Sequence, residues 1–437
     1  MASVVAICFI SLMILIKDLG KGYFLEAIDM DTVVTFDMIE EARLNLKDII
    51  KETDLLFAEK LSEETGVALY LKLENLQKSG SFKIRGAYNK MLHLNEAEKA
   101  RGVVTSSAGN HAQGVAISAT KLGINSTIVM PKNAPFAKIS ATRKHGAHVI
   151  LEGALYDEAY AKATAIQAET GAIFVHPFND PYVIAGQGTI ALEMLEANPD
   201  LDVIIVPIGG GGIAAGIALA AKTVKPSIKI IGVQSENAPS MYEALNTNKI
   251  ETVPVTRTIA DGIAVARPGD LTFPMIQAYV DEVITISEAQ LSEAFLFLLE
   301  NCNLVCEGAG AVSVAALIKH ASRFKGLQVG AVLSGGNIDI NLIESIINHA
   351  LVAAGRRTQL KTVISHQPGE LTRLLTCISD IGGNVLSIYQ NRNRKGISMY
   401  QMGVTVVIET IDAGHKAEVF EKLTSHGYEF YESTKPE

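Results

Sequence analysis

The chain has 437 residues, about three domain-sized units by length, and its 48% apolar and 19% charged content supports large cores and excludes an intrinsically disordered protein. The net charge of −9, from 38 basic against 47 acidic residues, excludes a broad basic surface for nucleic acid. Four cysteines (Cys8, Cys302, Cys306, Cys377) are too few for a disulfide framework. Cys302 and Cys306 are spaced to share a helix face, but no histidine or third thiol stands near them, so no metal is expected.

Met1–Ile16 is uncharged and almost wholly apolar. As a helix it would span about 24 Å, short of a ~30 Å hydrocarbon core, and it lacks the basic start of a signal peptide. Residues 1–29 are therefore expected to be an upstream extension, a misassigned start before Met30, rather than a membrane anchor. A cytoplasmic protein is expected. An amphipathic stretch, Phe36–Ile50, follows. From residue 67 to 350, β-rich runs alternate with helical patterns. The runs are Val67–Leu73, Val103–Ser106, Thr127–Met130, His148–Leu151, Val203–Pro207, Lys229–Val233 and Val329–Leu333. Helical stretches such as Asn110–Leu122, Tyr156–Glu169, Ile213–Lys222 and Ile338–Leu351 separate them. That rhythm predicts α/β architecture with parallel sheets and ligands beyond the strands' C-terminal ends. After Gly355 the texture becomes strand (Lys361–His366), helix (Glu370–Ile381), strands (Val385–Tyr389, Ser398–Ile408), helix (His415–Ser425) and strand (Tyr428–Tyr431). This is a ferredoxin-like βαββαβ order over residues 361–437.

Three glycine-bearing turns punctuate the α/β region: Ser106-Ser107-Ala108-Gly109-Asn110, Gly209-Gly210-Gly211-Gly212 and Ser334-Gly335-Gly336-Asn337. The four glycines follow a strand and open a helix, which makes an anion cradle for phosphate. Alone they are ambiguous, because Gly210, Gly212 and Ala215 also satisfy a dinucleotide fingerprint with Glu236 as the ribose acid. A nicotinamide-dependent oxidoreductase therefore competes, as does a purely structural role in helix–sheet packing. Lys83, between Phe82 and Ile84 at a helix start, is the discriminating residue. A lysine is normally a solvated cation with a pKa near 10.4; desolvation or Schiff-base formation makes it a catalyst.

The segments Ser81-Phe82-Lys83-Ile84-Arg85-Gly86-Ala87, Ser106-Ser107-Ala108-Gly109-Asn110-His111, Gly209–Gly212 and Ser334–Asn337 resemble, in order, those of threonine dehydratases. These are pyridoxal-phosphate enzymes of the tryptophan-synthase-β fold type. The resemblance covers residues 30–355, and His366-Gln367-Pro368-Gly369-Glu370-Leu371 resembles an ACT regulatory domain. It implies a two-lobed catalytic domain with twisted parallel sheets and a regulatory tail. The implied reaction converts threonine to 2-oxobutyrate and ammonia, and serine to pyruvate, with isoleucine biosynthesis as its setting. Serine dehydratase and serine racemase are the nearest alternatives.

The resemblance also implies residue roles. Lys83 would hold the cofactor as an internal aldimine and then remove the substrate's Cα proton. Phe82 would pack on the pyridine ring, Asn110 would bond its 3-hydroxyl, and Gly209, Gly210, Gly211 and Gly212 would cradle the phosphate. Ser107, with the backbone amides of 107–111, would take the substrate carboxylate. Ser334 would face the pyridine nitrogen, where a neutral hydroxyl leaves a weaker electron sink and favours prompt loss of the β-hydroxyl. Ala108 stands where racemases have a serine. Gln234 stands where metal-dependent relatives have a glutamate, and an amide is a poor ligand for a hard cation. Gly369 and Asn384 would line an effector site for isoleucine or valine between ACT units, and relatives imply a homo-oligomer, a tetramer.

Overall fold

A computed structural model describes residues 33–391 and 397–432. The expectation for residues 1–29 lies outside the described residues, among which no helix is long and apolar enough to cross a membrane.

The α/β region before Gly355 is built on two sheets. The strands, in chain order, are β1 (Leu55–Phe57), β2 (Ala68–Lys72), β3 (Val103–Ser106), β4 (Ser126–Met130), β5 (His148–Leu151), β6 (Ile173–Phe174), β7 (Val203–Pro207), β8 (Lys229–Ser235), β9 (Glu282–Ile286) and β10 (Gln328–Val332). One sheet has the order β1-β2-β10-β7-β8-β9 and the other β5-β4-β3-β6. Every pairing is parallel except that of β1 with β2. β7 is Val-Ile-Ile-Val-Pro and wholly buried, as a strand covered by helices on both faces must be. Each sheet has its own core, one centred on Leu69, Ile205 and Val329, the other on Val103, Ile128 and Val115. This is the expected two-lobed α/β architecture. β1, β6 and β9 are additional to the strands read from sequence.

β2 and β10 lie side by side, with Ala68 opposite Gln328 and Lys72 opposite Val332. Just past their C-terminal ends, a bridge joins Ser81 to Gly335. The helix Lys83–Leu92 then leaves toward the smaller sheet, and the helix Pro181–Ala197 returns the chain to the larger one. The three glycine-bearing turns therefore all open at C-terminal strand ends.

Arg85, two residues into the Lys83 helix, is fully buried. Its guanidinium is forked on Glu74 (2.9 and 2.8 Å) and on Glu193 (2.5 and 2.8 Å), and Lys72 Nζ reaches Glu193 at 2.5 Å. Thr53 bonds Glu74 at 2.5 Å and Thr189 accepts from Arg85 at 3.0 Å. Two cations against two carboxylates make the cluster neutral. Burial alone would raise the Glu74 carboxyl, but Arg85, Lys72 and Thr53 hold it below its ordinary value.

The tail comprises β11 (Arg357–Ser365), helix Glu370–Ser379, β12 (Asn384–Asn391), β13 (Gln401–Glu409), helix Ala413–Ser425 and β14 (Phe430–Glu432). Its antiparallel sheet has the order β12-β13-β11-β14, the βαββαβ split arrangement, around its own core of Leu360, Ile364, Val404, Val406 and Leu374. β11 begins at Arg357, only two residues after Gly355.

Cys302 and Cys306 do not share a helix face. The helix Glu288–Cys302 stops at Asn303, whose φ of 54° reverses the chain, and Cys306 is buried in the extended stretch beyond.

Candidate active site

Lys83 begins its helix half-buried, and its Nζ donates to the Pro177 carbonyl at 2.9 Å. Burial pushes its pKa down to about 8, against an opposing pull from Glu307. A free amine is thus accessible near neutral pH, the state a nucleophilic or basic lysine needs. His111 and His176 flank it as neutral rings, lowered by burial to about 3 and about 4. His111 Nε2 lies 2.8 Å from the Val175 carbonyl, and His176 Nδ1 accepts from the Asn179 amide at 2.8 Å. Phe82 is buried beside Lys83, and its amide bonds the Ser334 carbonyl at 3.1 Å.

Gly209–Gly212 link β7 to the helix Gly212–Val224. Gly211 has φ 101°, a conformation side chains rarely adopt, and a Cβ there would meet Thr272 Oγ1 at 2.6 Å. Thr272 Oγ1 and the Gly269 amide bond the Gly210 carbonyl at 2.5 and 3.2 Å. In a trans peptide the neighbouring Gly211 N–H then points the opposite way, and the first N–H groups of the helix have no partner within it. Backbone donors of this kind suit a phosphate dianion.

The Ser106–Asn110 turn is narrower than expected as a carboxylate cradle. The Ser107 amide bonds the Val129 carbonyl at 3.2 Å, and the Gly109 amide bonds Ser107 Oγ at 3.2 Å. The backbone N–H groups of Ala108, Asn110 and His111 at the start of helix Asn110–Leu122 remain as anion donors. Asn110 joins the third turn: its Oδ1 accepts from Asn337 Nδ2 at 2.8 Å, while its Nδ2 donates to Glu307 at 2.6 Å. Ser334 is buried, with Oγ 3.2 Å from the Ala309 carbonyl.

Phe82 and Asn110 both bond the third turn, through the Ser334 carbonyl and Asn337, while the Lys83 amine is held separately at the Pro177 carbonyl. Gly369 and Asn384 belong to the tail: Gly369 sits at φ 92° before helix Glu370–Ser379, and Asn384 bonds Glu409 at 2.9 Å. Gln234 is fully buried; its amide donates to the Ile208 carbonyl at 3.3 Å and accepts from the Tyr242 amide at 2.8 Å. Glu236, the acid of the competing dinucleotide reading, is half exposed and 3.9 Å from Lys319. Glu307, Pro177 and Asn337 were not singled out from sequence. Cys306-Glu307-Gly308-Ala309-Gly310 carries the missed signal, another small-residue turn opening a helix.

A lysine with a lowered pKa and a glycine turn opening a helix, both at C-terminal strand ends, are the features of an enzyme that works with a phosphorylated carbonyl cofactor. Residues 46–335 match the model of the family described as pyridoxal-phosphate dependent enzymes, and the chain belongs to that family. It is 51% identical over 397 residues to an L-threonine ammonia-lyase of Thermotoga maritima, covering 91% of this chain and 99% of that one. Among solved structures, isoform 2 of threonine deaminase from Solanum lycopersicum superposes with a TM-score of 0.71 at 34% identity (76% of this chain, 94% of that one). Maize serine racemase does so at 0.68 and 38% (72% and 98%). The cofactor is pyridoxal phosphate.

Proposed function

We propose that the chain is a threonine ammonia-lyase, cleaving L-threonine to 2-oxobutyrate and ammonia and L-serine to pyruvate. The observation that carries the reading is Lys83, lowered to about 8 by burial, facing the pull of Glu307 and held at the Pro177 carbonyl. The near full-length likeness to an L-threonine ammonia-lyase supports the substrate.

Pyridoxal phosphate, when bound, supplies an electron sink for the substrate's Cα. Gly209–Gly212 would hold its phosphate and Phe82 would cover its ring. The Ala108, Asn110 and His111 amides would fix the substrate carboxylate, and Ser107 Oγ would add a hydroxyl donor. Lys83 removes the Cα proton, and loss of the β-hydroxyl follows. We assign no metal ion to this reaction, since both ends of the Gln234 amide already have protein partners. The direct test is visible absorption by the purified protein, its change on adding threonine, and release of ammonia and 2-oxobutyrate. A colourless protein without that product would end the reading.

Ala108 separates elimination from racemisation. Lys83 serves one face of the planar substrate, and inversion needs a second proton donor on the other; a methyl group cannot supply it. Ala108→Ser is expected to raise serine racemisation relative to pyruvate formation, with cofactor still bound. Chiral analysis of the serine pool checks this. Native protein that interconverts L- and D-serine as fast as it forms pyruvate would favour the racemase reading instead.

The tail is proposed to be an ACT regulatory domain that binds isoleucine or valine near Gly369 and Asn384 in a cytoplasmic homo-oligomer, a tetramer. A Cβ at Gly369 would meet no atom within 4 Å, which leaves room for a ligand beside that turn. Truncation after Gly355 is expected to leave an active enzyme whose rate no longer responds to either amino acid. Full-length enzyme indifferent to both would contradict this, since regulation needs an effector that binds two states unequally.

A further inference from the structure

Glu307 has no part in the steps above, yet it is 5% exposed at the centre of the site. It stands at the N-cap of helix Gly308–Lys319, in extended backbone conformation (φ −79°, ψ 166°), but its side chain makes no capping bond to that helix. The carboxylate turns to Asn110 instead, with Oε1 2.6 Å from Asn110 Nδ2. Asn110 Oδ1 accepts from Asn337 Nδ2, which also donates to the Ser79 carbonyl, both at 2.8 Å. Turning the Asn110 amide over would set its oxygen against the Glu307 carboxylate and its NH₂ against that of Asn337. The two neighbours therefore permit one orientation, with the second N–H of Nδ2 left to donate. Gly335 makes the room, because a Cβ there would lie 2.5 Å from Glu307 Oε1 and 3.0 Å from Asn110 Nδ2.

We propose that Glu307 is a positioning residue that locks the Asn110 amide so that a donor, not an acceptor, faces the ring hydroxyl of pyridoxal phosphate. The inference rests on the assignment of this site to that cofactor. A donor favours the ionised ring oxygen, so the lock would influence where the bound cofactor titrates. The charged and titratable neighbours of Glu307 are Asp261, Lys138 (paired with Asp261 at 3.0 Å), Lys83 and Cys306. Burial and Asp261 push its carboxyl up to about 7, against Asn110, Lys138 and Lys83.

The test compares wild type, Glu307→Gln and Glu307→Leu, each titrated with pyridoxal phosphate and then followed by visible absorption across pH. Both variants remove the charge, but only glutamine keeps an oxygen for Asn110, so the difference between them isolates the orientation. Glu307→Leu is expected to bind the cofactor about 10- to 100-fold more weakly than wild type, the equivalent of one charge-assisted hydrogen bond. Its absorption midpoint should lie at higher pH than that of Glu307→Gln. If the leucine variant does not fold, Glu307→Ala carries the test: it too removes the acceptor for Asn110 Nδ2, so its midpoint should lie above that of Glu307→Gln. Variants that bind and titrate together, differing from wild type only in melting temperature, would overturn the proposal and leave Glu307 a structural residue. A wild-type protein that develops no visible band would instead defeat the cofactor assignment itself.

Discussion

Lys83→Ala, purified in the presence of pyridoxal phosphate, is expected to lose its absorption on dialysis, because nothing holds the cofactor covalently, and to release ammonia from threonine at least about a thousandfold more slowly. One side chain carries two duties in the proposed reaction, covalent anchor and proton acceptor, so no neighbour compensates for its loss. His111 and His176 are poor replacements as bases, because burial lowers them to about 3 and about 4. His111 Nε2 lies 2.8 Å from the Val175 carbonyl, and His176 Nδ1 already accepts from the Asn179 amide. The phosphate cradle is built from backbone far along the chain and should still bind the cofactor weakly. Equilibrium dialysis with pyridoxal phosphate would register that residual binding. Near-normal turnover would refute the assignment, and so would a variant that keeps its colour through exhaustive dialysis.

Arg85→Leu is expected to lower unfolding stability by about 3–5 kcal/mol, the cost of removing one partner from a buried ionic cluster. The guanidinium holds Glu74 and Glu193 together, and its loss leaves two buried carboxylates with only Lys72 as counter-ion. Denaturant titration of the holoprotein measures the effect; a loss below about 1 kcal/mol would show that water or rearrangement satisfies both acids. The Lys83 helix is anchored through this residue, so turnover should fall together with stability.

Features set by local backbone were legible in the sequence. The strands Val103–Ser106, His148–Leu151 and Val203–Pro207 and the helix Asn110–Leu122 have the bounds that their residue patterns suggest. β6 has two residues and β1 three half-buried or exposed ones, too short for any periodicity to register. The glycine turns and Lys83 could be found because unusual backbone and an apolar-flanked lysine leave local marks. The burial of Arg85 and Glu307 leaves none, whatever their surrounding motifs: a charged side chain near a helix start ordinarily reads as solvated, and what buries it comes from distant segments. Glu307 meets Asn110 across 197 positions, and Arg85 meets Glu193 across 108. The narrowing of the carboxylate cradle was hidden for the same reason, since it depends on Val129 in the adjacent strand.

The place of β10, between β2 and β7, bears on how the protein is made. Ribosomes deliver β2 and β7 long before residues 328–337, so β2 has only β1 and β7 only β8 beside it while most of the catalytic region is already synthesised. The Ser81–Gly335 bridge and the Asn337 bond to Ser79, spanning 258 positions, close only after that late strand inserts. Such long-range pairing folds slowly, and the open edges of β2 and β7 are exposed to misassociation in the interval. Full engagement of the cofactor is therefore expected to follow insertion of β10, which brings Ser334 and Asn337 to the site. The onset of colour in a newly synthesised chain would serve as a clock for the completion of folding.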